Sequence, residues 1–460
     1  MLYSSTRGGD RDRSFTDVLL NGLASDGGLY VPNKFPCYNQ KQLKALSKLN
    51  YSDLAFELTK SFLSEDIPEE DYRKICEDTY RNSFGKEIIS ITKLNDSEYI
   101  SNLFHGPTFA FKDFALQLLG NIYQFVLKKK NMKLVIIGAT SGDTGSAAIN
   151  GCSKSNNIKM YILFPKGKVS EVQRKQMTTF DKENVSNVAV EGNFDDCQKL
   201  VKDFFKMNNE NKKINLAAVN SINWVRIMGQ IVYYFWSYFK VCKNFSPISF
   251  VVPTGNFGNA YAGYISKKMG LPIEKIVISS NKNDILTRFF YSGKMSVRKT
   301  EKSLSPSMDI QVSSNFERLL YDFYGDGEII KKVFIELESR GEFEISQEKL
   351  KEINSNFKSG KLNDEDTIKT IKFFKKKYDI ILDPHTAVGC SVGSDKLSKS
   401  NKRIYLATAH YAKFMTTIKS SIDVDVDYPK KLKDLFDKDE KFLSIDNDIQ
   451  ELKDLIIGNL

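Results

Sequence analysis

The chain has 460 residues, of which 41% are hydrophobic and 27% are charged. This length exceeds what one hydrophobic core supports, and the composition is that of a globular protein, so a single small module and a disordered chain are both excluded. The net charge is +10, but 67 basic residues are opposed by 57 acidic ones along the whole chain, which favours solubility or steering of an acidic substrate over a nucleic-acid partner.

The cysteines and the apolar segments indicate neither a metal site, nor a disulfide framework, nor a membrane span. The six cysteines lie far apart without a CxxC pair, which is typical of a reducing compartment. The most apolar stretch, residues 227–239, is interrupted by Gln230 and is shorter than the ~20 residues of a membrane span. The N-terminus has no apolar region of the signal-peptide type. We therefore expect a cytoplasmic protein that contacts neither membrane nor nucleic acid.

In chain order, residues 1–95 predict a mainly helical N-terminal domain, because apolar side chains recur there at helical spacing. From about Tyr99, short apolar runs that end in Gly or Pro alternate with amphipathic segments, a pattern typical of parallel strands covered by helices. The predicted strands are residues 133–138, 159–165, 187–192, 214–219, 248–255, 275–279 and 403–409. The predicted helices are residues 112–130, 195–209, 222–242 and 364–377. The sequence thus predicts an α/β catalytic core over residues 96–422, followed by a C-terminal helical appendage over residues 423–460.

Lys112 begins a predicted helix in the segment HGPTFAFKDF. It lies on the helix face that carries Ala115 and Leu119, in the first turn, where the helix dipole disfavours an ammonium ion. Burial and the dipole both favour the neutral amine, which is the nucleophilic form that a Schiff base requires. A lysine with a buried stem and a solvated amine is the alternative that this residue alone leaves open.

Two glycine-rich loops each follow a buried strand and precede a helix. The loop GATSGDTG, residues 138–145, matches neither the Walker nor the GxGxxG pattern, and its glycines and hydroxyls suit a carboxylate or a phosphate. The loop GNFGN, residues 255–259, suits a dianionic phosphate in the same way. Each could be a plain tight turn. Two such loops in one sheet, together with a lysine on a buried face, indicate two anions at neighbouring strand ends, such as a cofactor phosphate and a substrate carboxylate.

The three histidines, His105, His385 and His410, lack the spacing of a metal site. We expect structural or supporting roles for them, with His105 near the cofactor because it lies seven residues before Lys112.

Ten distinctive segments occur in one order over nearly the whole chain. They are YSSTRGG (3–9), DGGLYVP (26–32), HGPTFAFKDF (105–114), TSGDTGSAA (140–148), NSINWVRI (220–227), PTGNFGN (253–259), SPSMDI (305–310), SSNFERLL (313–320), DPHTAVG (383–389) and ATAHYAKF (407–414). In these segments the chain resembles the threonine synthase family, in its branch with an extended N-terminal domain. The resemblance implies a two-lobed, parallel-sheet enzyme of fold type II that uses pyridoxal 5'-phosphate. Tyr411 departs from the family pattern, which has proline there.

The resemblance also implies roles for individual residues. Lys112 would carry the pyridoxal phosphate, and Thr408 would face its pyridine nitrogen, where a neutral hydroxyl makes the ring a weaker electron sink than an acid would. The remaining implied cofactor contacts, to the phosphate, are Gly255, Asn256, Phe257, Gly258 and Asn259. The implied contacts to the substrate's α-carboxylate are Thr140, Ser141, Asp143 and Thr144, and further substrate-side groups are Arg7, Asn220 and Arg226.

The implied activity is the conversion of O-phospho-L-homoserine and water to L-threonine and phosphate, by γ-elimination and β-addition with Lys112 as the general base. A related phospho-lyase, which stops after elimination and releases a 2-oxo acid and ammonia, would use the same loops. A non-catalytic binding protein on this scaffold is a third interpretation, against which the retention of Lys112 and both loops argues. The oligomeric state, monomer or homodimer, is left open.

Overall fold

The computed structural model describes residues 1–63, 65–85, 87–211, 214–422 and 426–459, so the predicted start of the C-terminal appendage at residue 423 and its end at residue 460 lie outside the described residues. The strands are β1 (Tyr3–Ser5), β2 (Tyr30–Pro32), β3 (Ser90–Lys93), β4 (Glu98–Asn102), β5 (Leu134–Ala139), β6 (Ile158–Pro165), β7 (Val185–Val190), β8 (Leu216–Ala217), β9 (Ile248–Pro253), β10 (Ile273–Ser280), β11 (Lys294–Ser296), β12 (Glu342–Glu344), β13 (Phe357–Lys361), β14 (Arg403–Ala407) and β15 (Leu443–Ile445).

The helices surround these strands and include two short 3₁₀ helices, Pro306–Met308 and Tyr411–Phe414. The α-helices are α1 (Phe15–Asn21), α2 (Gln40–Leu46), α3 (Tyr51–Leu63), α4 (Glu69–Ser83), α5 (Lys112–Lys130), α6 (Asp143–Cys152), α7 (Glu171–Thr178), α8 (Phe194–Asn211), α9 (Trp224–Val241), α10 (Gly258–Lys268), α11 (Ile285–Ser292), α12 (Phe316–Tyr324), α13 (Gly327–Arg340), α14 (Gln347–Asn354), α15 (Asp364–Tyr378), α16 (Pro384–Lys396), α17 (Met415–Ser421), α18 (Lys430–Lys433) and α19 (Ile449–Ile457).

The N-terminal region is mainly helical, as predicted. Helix α1 lies between β1 and β2, which form a small antiparallel pair, and α2 to α4 follow them. Their apolar faces pack on the catalytic core, where the ring of Phe62 on α3 lies 5.6 Å from that of the fully buried Trp224 on α9. The predicted boundary at residue 95 lies between β3 and β4, which pair with each other, so β3 is part of a core sheet. The domain boundaries themselves stay a prediction.

One lobe is built on a parallel sheet with the strand order β15-β7-β6-β5-β8. Its central strands are buried on both faces, which explains their continuous apolar sequence. The expected C-terminal helical appendage contains α18 and α19 but also β15, which pairs in parallel with β7. The three residues of β15 are too few to show the alternating pattern of a strand in the sequence. Their backbone N–H and C=O groups pair with the edge of β7, which would otherwise be unpaired.

The other lobe is built on a sheet with the order β13-β10-β9-β14-β4-β3, in which only β3 runs antiparallel. Strand β9 leads into the loop at Gly255, and β14 leads into Thr408. Strand β5, which leads into the loop at Thr140, belongs to the first sheet. The prediction that both glycine-rich loops end strands of one sheet was therefore wrong. The predicted α/β fold of two parallel-sheet lobes is confirmed.

Candidate active site

Lys112 is the first residue of α5, and its amine points between the two lobes. Its Nζ lies 3.4 Å from Oδ2 of Asp143 and 3.4 Å from Oγ of Ser307. Only 11% of the side chain is exposed. The helix begins here because the Asp113 carboxylate accepts from the backbone N–H of Thr108 at 2.9 Å and from its hydroxyl at 2.7 Å, which closes the preceding turn. The amine is thus held in place by a folded turn and is covered.

The charges around Lys112 oppose each other. Burial lowers the pKa of Lys112; Asp143 counteracts this, and the cations Lys413 and Arg226 lower the pKa further. Burial alone would raise the pKa of Asp143, but Lys413 and Lys112 outweigh it and hold that pKa well below its usual range. Because Asp143 is an anion and Lys112 is pushed towards its neutral form, the site favours a reactive amine, as the sequence predicts.

The GNFGN loop leaves a set of backbone donors free. Phe257 has a left-handed backbone with φ of 63°, and α10 begins directly after it. The carbonyl of Gly255 accepts from the Ser313 hydroxyl at 2.7 Å, and that of Asn256 accepts from the backbone N–H of Asn315 at 3.1 Å. No described group accepts from the N–H of Gly255, Asn256 or Phe257. Free backbone donors beside a helix N-terminus are the arrangement in which proteins commonly hold a phosphate.

The two ends of this loop are fixed differently. A Cβ at Gly255 would lie 2.7 Å from the backbone oxygen of Ser307, so only glycine fits there. The Asn259 side chain is turned into the core, where its Oδ1 accepts from the hydroxyls of Tyr233 at 2.6 Å and Tyr234 at 2.8 Å. Asn259 could therefore contribute its backbone to a bound phosphate, while its side chain anchors α10.

Thr408 lies directly beside the start of α5. Its carbonyl accepts from the backbone N–H of Phe111 at 2.9 Å, which brings it next to Lys112. The side chain is buried, and its hydroxyl has no hydrogen-bond partner among the described residues. Tyr411, which replaces the expected proline, is the first residue of a 3₁₀ helix. The N–H at this position needs no partner within the helix, so proline and tyrosine both fit the same backbone.

The TSGDT loop begins at the end of β5 and contributes three kinds of group. The Thr140 hydroxyl oxygen accepts from the N–H of Gly142 at 2.9 Å and of Gly145 at 2.8 Å, so it holds the loop itself. The half-buried side chains of Ser141 and Thr144 form no hydrogen bond with a described residue and could bind a ligand. Asp143 differs from the expectation: its anionic side chain contacts lysines, and like charges prevent it from binding a carboxylate.

Arg226 has the surroundings expected of an anion-binding cation, whereas Arg7 does not. The Arg226 side chain is buried on α9; its Nη1 donates to the carbonyl of Val219 at 2.6 Å, and its buried Nε has no described partner. Asn220 lies one residue beyond Val219 and is exposed. Arg7 forms two 3.0 Å bonds with Glu317 on α12 and ties the N-terminal region to the core. No ion pair or hydrogen bond joins Arg7 to the described groups around Lys112.

Sequence reasoning missed two residues at the centre of the site, Ser307 and Lys413. The Ser307 hydroxyl donates to Oδ2 of Asp143 at 3.1 Å, and its backbone N–H donates to Nε2 of His385 at 3.2 Å. Lys413 forms a 2.8 Å ion pair with Asp143. Both lie in distinctive segments, SPSMDI and ATAHYAKF, which were the available signal. The buried His385 thus has the expected supporting role, and its Nδ1 lies 2.9 Å from the carboxylate of Asp383.

The other two histidines lie behind the turn that precedes α5. Nε2 of His105 lies 2.7 Å from the Ser90 hydroxyl, and Nδ1 of His410 accepts from the N–H of Ala412 at 3.2 Å. Within the described ranges, no three His, Cys, Asp or Glu side chains are grouped as metal ligands. The same ranges contain no helix long and apolar enough to cross a membrane.

Three family models match the chain in succession. The model for the N terminus of threonine synthase matches residues 2–80, the model for pyridoxal-phosphate-dependent enzymes matches residues 90–333, and the model for the C-terminal part of threonine synthase matches residues 386–456. The second model spans Lys112 and both glycine-rich loops, and the third spans Thr408 and Lys413. The amine, the phosphate-sized set of free donors and the unpartnered hydroxyl therefore fit pyridoxal phosphate.

Similar proteins cover the chain from end to end. The threonine synthase of Pseudomonas aeruginosa is 43% identical over 456 residues, 98% of this chain and 97% of its own length. The crystal structure of PLP-bound threonine synthase from Brucella melitensis has a TM-score of 0.96 at 41% identity and 99% coverage of both chains. That of yeast threonine synthase has a TM-score of 0.94 at 38% identity and covers 100% of this chain and 98% of its own. The chain belongs to the threonine synthase family and is an enzyme whose cofactor is pyridoxal phosphate.

Proposed function

We propose that this enzyme converts O-phospho-L-homoserine and water to L-threonine and phosphate, with Lys112 as the residue that carries the cofactor and moves the protons. The observation that carries the proposal is the arrangement of the site. The covered amine of Lys112 lies in the interior, together with the free backbone donors of residues 255–257 and with the buried Arg226, whose Nε has no partner among the described residues. A cofactor phosphate and a substrate with its own phosphate need two such anion sites.

The proposed roles follow from these surroundings. The loop of residues 255–259 holds the cofactor phosphate with its N–H groups, and Thr408 faces the pyridine nitrogen with its hydroxyl. Ser141, Thr144 and the backbone of their loop, which Thr140 holds in shape, bind the α-carboxylate. Arg226 and the exposed Asn220 bind the substrate phosphate. Arg7 is not included, because its guanidinium is paired with Glu317.

The chemistry is divided between the cofactor and the protein. When bound, pyridoxal phosphate supplies an electron sink for the negative charge that develops on the substrate. The Lys112 amine removes the proton at Cα and, once it has given that proton up, removes one at Cβ. It must be uncharged for each removal, and burial favours that state. Arg226 stabilises the phosphate as it leaves Cγ. Protonation at Cγ, followed by addition of water with its hydroxyl at Cβ and a proton returned to Cα, then completes L-threonine.

The assembly that we propose is a monomer or a homodimer. The six free cysteines, five of them buried, suit the reducing conditions of the cytoplasm, which we propose as the location.

Product analysis with O-phospho-L-homoserine tests the reaction. We expect equal amounts of threonine and phosphate, and neither product with Lys112→Ala. Release of 2-oxobutanoate and ammonia instead of threonine would identify a phospho-lyase. Absence of any product from cofactor-loaded protein would contradict both enzymes.

A further inference from the structure

Lys413 is a charged side chain with no exposed surface in the centre of the molecule. It belongs to the 3₁₀ helix that follows Thr408. Its Nζ lies 2.8 Å from Oδ1 of Asp143 and donates to the carbonyl of Thr108 at 2.8 Å. A buried ammonium ion is costly unless it is paired and hydrogen-bonded, so this lysine is kept in place by its contacts with the other lobe and with the turn before α5.

The contacts of Asp143 are divided between its two oxygens. Oδ1 is bound closely, by Lys413 at 2.8 Å and by Nε2 of Gln173 at 2.8 Å. Oδ2 accepts from the Ser307 hydroxyl at 3.1 Å, and Lys112 lies farther away, at 3.4 Å. Of these four side chains, Lys112 lies farthest from the Asp143 carboxylate, although it and Lys413 are the two that carry an amine.

We propose that Lys413 is a positioning residue that binds Asp143 and thereby prevents a close ion pair between Asp143 and Lys112, so that the Lys112 amine remains free to react with the cofactor. The inference rests on the proposed role of Lys112. A close pair would keep Lys112 as an ammonium ion, which has no lone pair with which to attack an aldehyde.

The surrounding charges support this assignment. Other ionisable groups that face the Lys112–Asp143–Lys413 cluster are Asp113 on α5, Arg226 on α9, His385 on α16 and His410, which precedes the 3₁₀ helix of Lys413. Lys413 lowers the pKa of Lys112 by repulsion, whereas Asp143 raises it. Loss of Lys413 removes the repulsion and leaves Asp143 with a single cationic partner. Both changes act in the same direction, towards a charged Lys112.

The test measures the charge state of Lys112 without relying on catalysis. The full-length protein, freed of cofactor, is labelled with acetic anhydride at a series of pH values, and mass spectrometry gives the labelled fraction of the peptide that contains Lys112. We expect Lys413→Met to raise the midpoint of this titration by roughly 1 to 3 pH units, the range that one neighbouring charge produces. The pH at which added pyridoxal phosphate becomes attached, followed by absorbance, should rise in parallel.

Three further variants separate positioning from a general loss of structure. Lys413→Arg keeps the charge and should restore the wild-type midpoint. The double variant K413M/D143N lacks the anion and should have a midpoint at or below that of wild type. Lys268→Met removes a surface partner of Asp322, far from the site, and should have no effect. If Lys413→Met does not fold, Lys413→Gln replaces it, because the amide can still donate to Asp143 and Thr108 without a charge.

An unchanged midpoint in a folded Lys413→Met or Lys413→Gln protein would overturn the inference, as would a raised midpoint in the double variant. Failure of the proposed function is recognised separately. If Lys112 does not carry the cofactor, borohydride trapping of the wild-type holoenzyme will place the cofactor on a peptide other than the one containing Lys112.

Discussion

Arg226 is predicted to make the protein less stable when no anion is bound to it. Burial lowers the pKa of Arg226 from 12.5 to about 10. At roughly 1.4 kcal/mol per pKa unit, this difference corresponds to about 3 kcal/mol by which the folded state disfavours the charged side chain. At neutral pH the Arg226 guanidinium is charged in both the folded and the unfolded state, so the full cost of burying its charge opposes folding. Its hydrogen bond to Val219 recovers about 1 to 2 kcal/mol.

The variant Arg226→Met should therefore increase the free energy of unfolding by about 1 to 2 kcal/mol, although it removes a buried group. Urea denaturation of the cofactor-loaded protein measures this. Loading the cofactor keeps the phosphate site at residues 255–259 occupied. Inorganic phosphate should stabilise the wild type by about 2.7 kcal/mol at a hundred times its dissociation constant, and should not stabilise Arg226→Met.

Arg318 provides a matched control. Burial lowers its pKa to about 10 as well, but its three nitrogens donate to Tyr30 at 3.0 Å, Asn315 at 2.5 Å and Ile222 at 2.6 Å. Arg318→Met leaves three acceptors unpaired, at about 1 to 3 kcal/mol each, and should destabilise the protein while keeping the response to phosphate. Equal destabilisation by both substitutions, with the phosphate response retained in Arg226→Met, would refute the reasoning.

Three other predictions follow from single contacts. Gly255→Ala introduces a Cβ 2.7 Å from the Ser307 carbonyl oxygen, and the resulting strain of about 1 to 3 kcal/mol should displace the loop. In an absorbance titration the variant should bind the cofactor about 10 to 100 times more weakly. Unchanged binding would contradict the proposed phosphate site at residues 255–259. Thr408→Val should lower kcat about tenfold without loss of folding, with recovery in Thr408→Ser; equal kcat in all three proteins would exclude a role for the hydroxyl. The hydrogen bond from Arg174 lowers the pKa of Glu440 to about 2, so the pair stabilises the protein above pH 4.5 and this contribution is lost as the pH falls towards 2. Acid unfolding of Arg174→Met should differ from that of wild type at pH 6 and converge with it near pH 2.

Much of the fold could be predicted from the order of residues. Helix α5 begins and ends at the predicted residues, and α8, α9 and α15 agree with their predictions to within two residues at each end. These predictions rested on charged residues at helix ends and on the spacing of apolar residues. Both signals involve residues that are close together in the sequence. Strand β13 was missed because its sequence FKSGK has polar residues and an exposed Lys358, as an edge strand has.

The sequence by itself determined which residues have the chemistry of the site: a lysine at a helix start, glycine-bearing loops after buried strands, and, through the family resemblance, Arg226. Only the tertiary structure decided their partners. It placed the two loops on different sheets, turned Asp143 towards Lys112 and Lys413, and paired Arg7 with Glu317. Asp143 and Lys413, like Arg7 and Glu317, are hundreds of residues apart, and periodicity describes only which face of an element is buried. Which charges meet between two lobes depends on how the packed sheets face each other, and no local pattern contains that information.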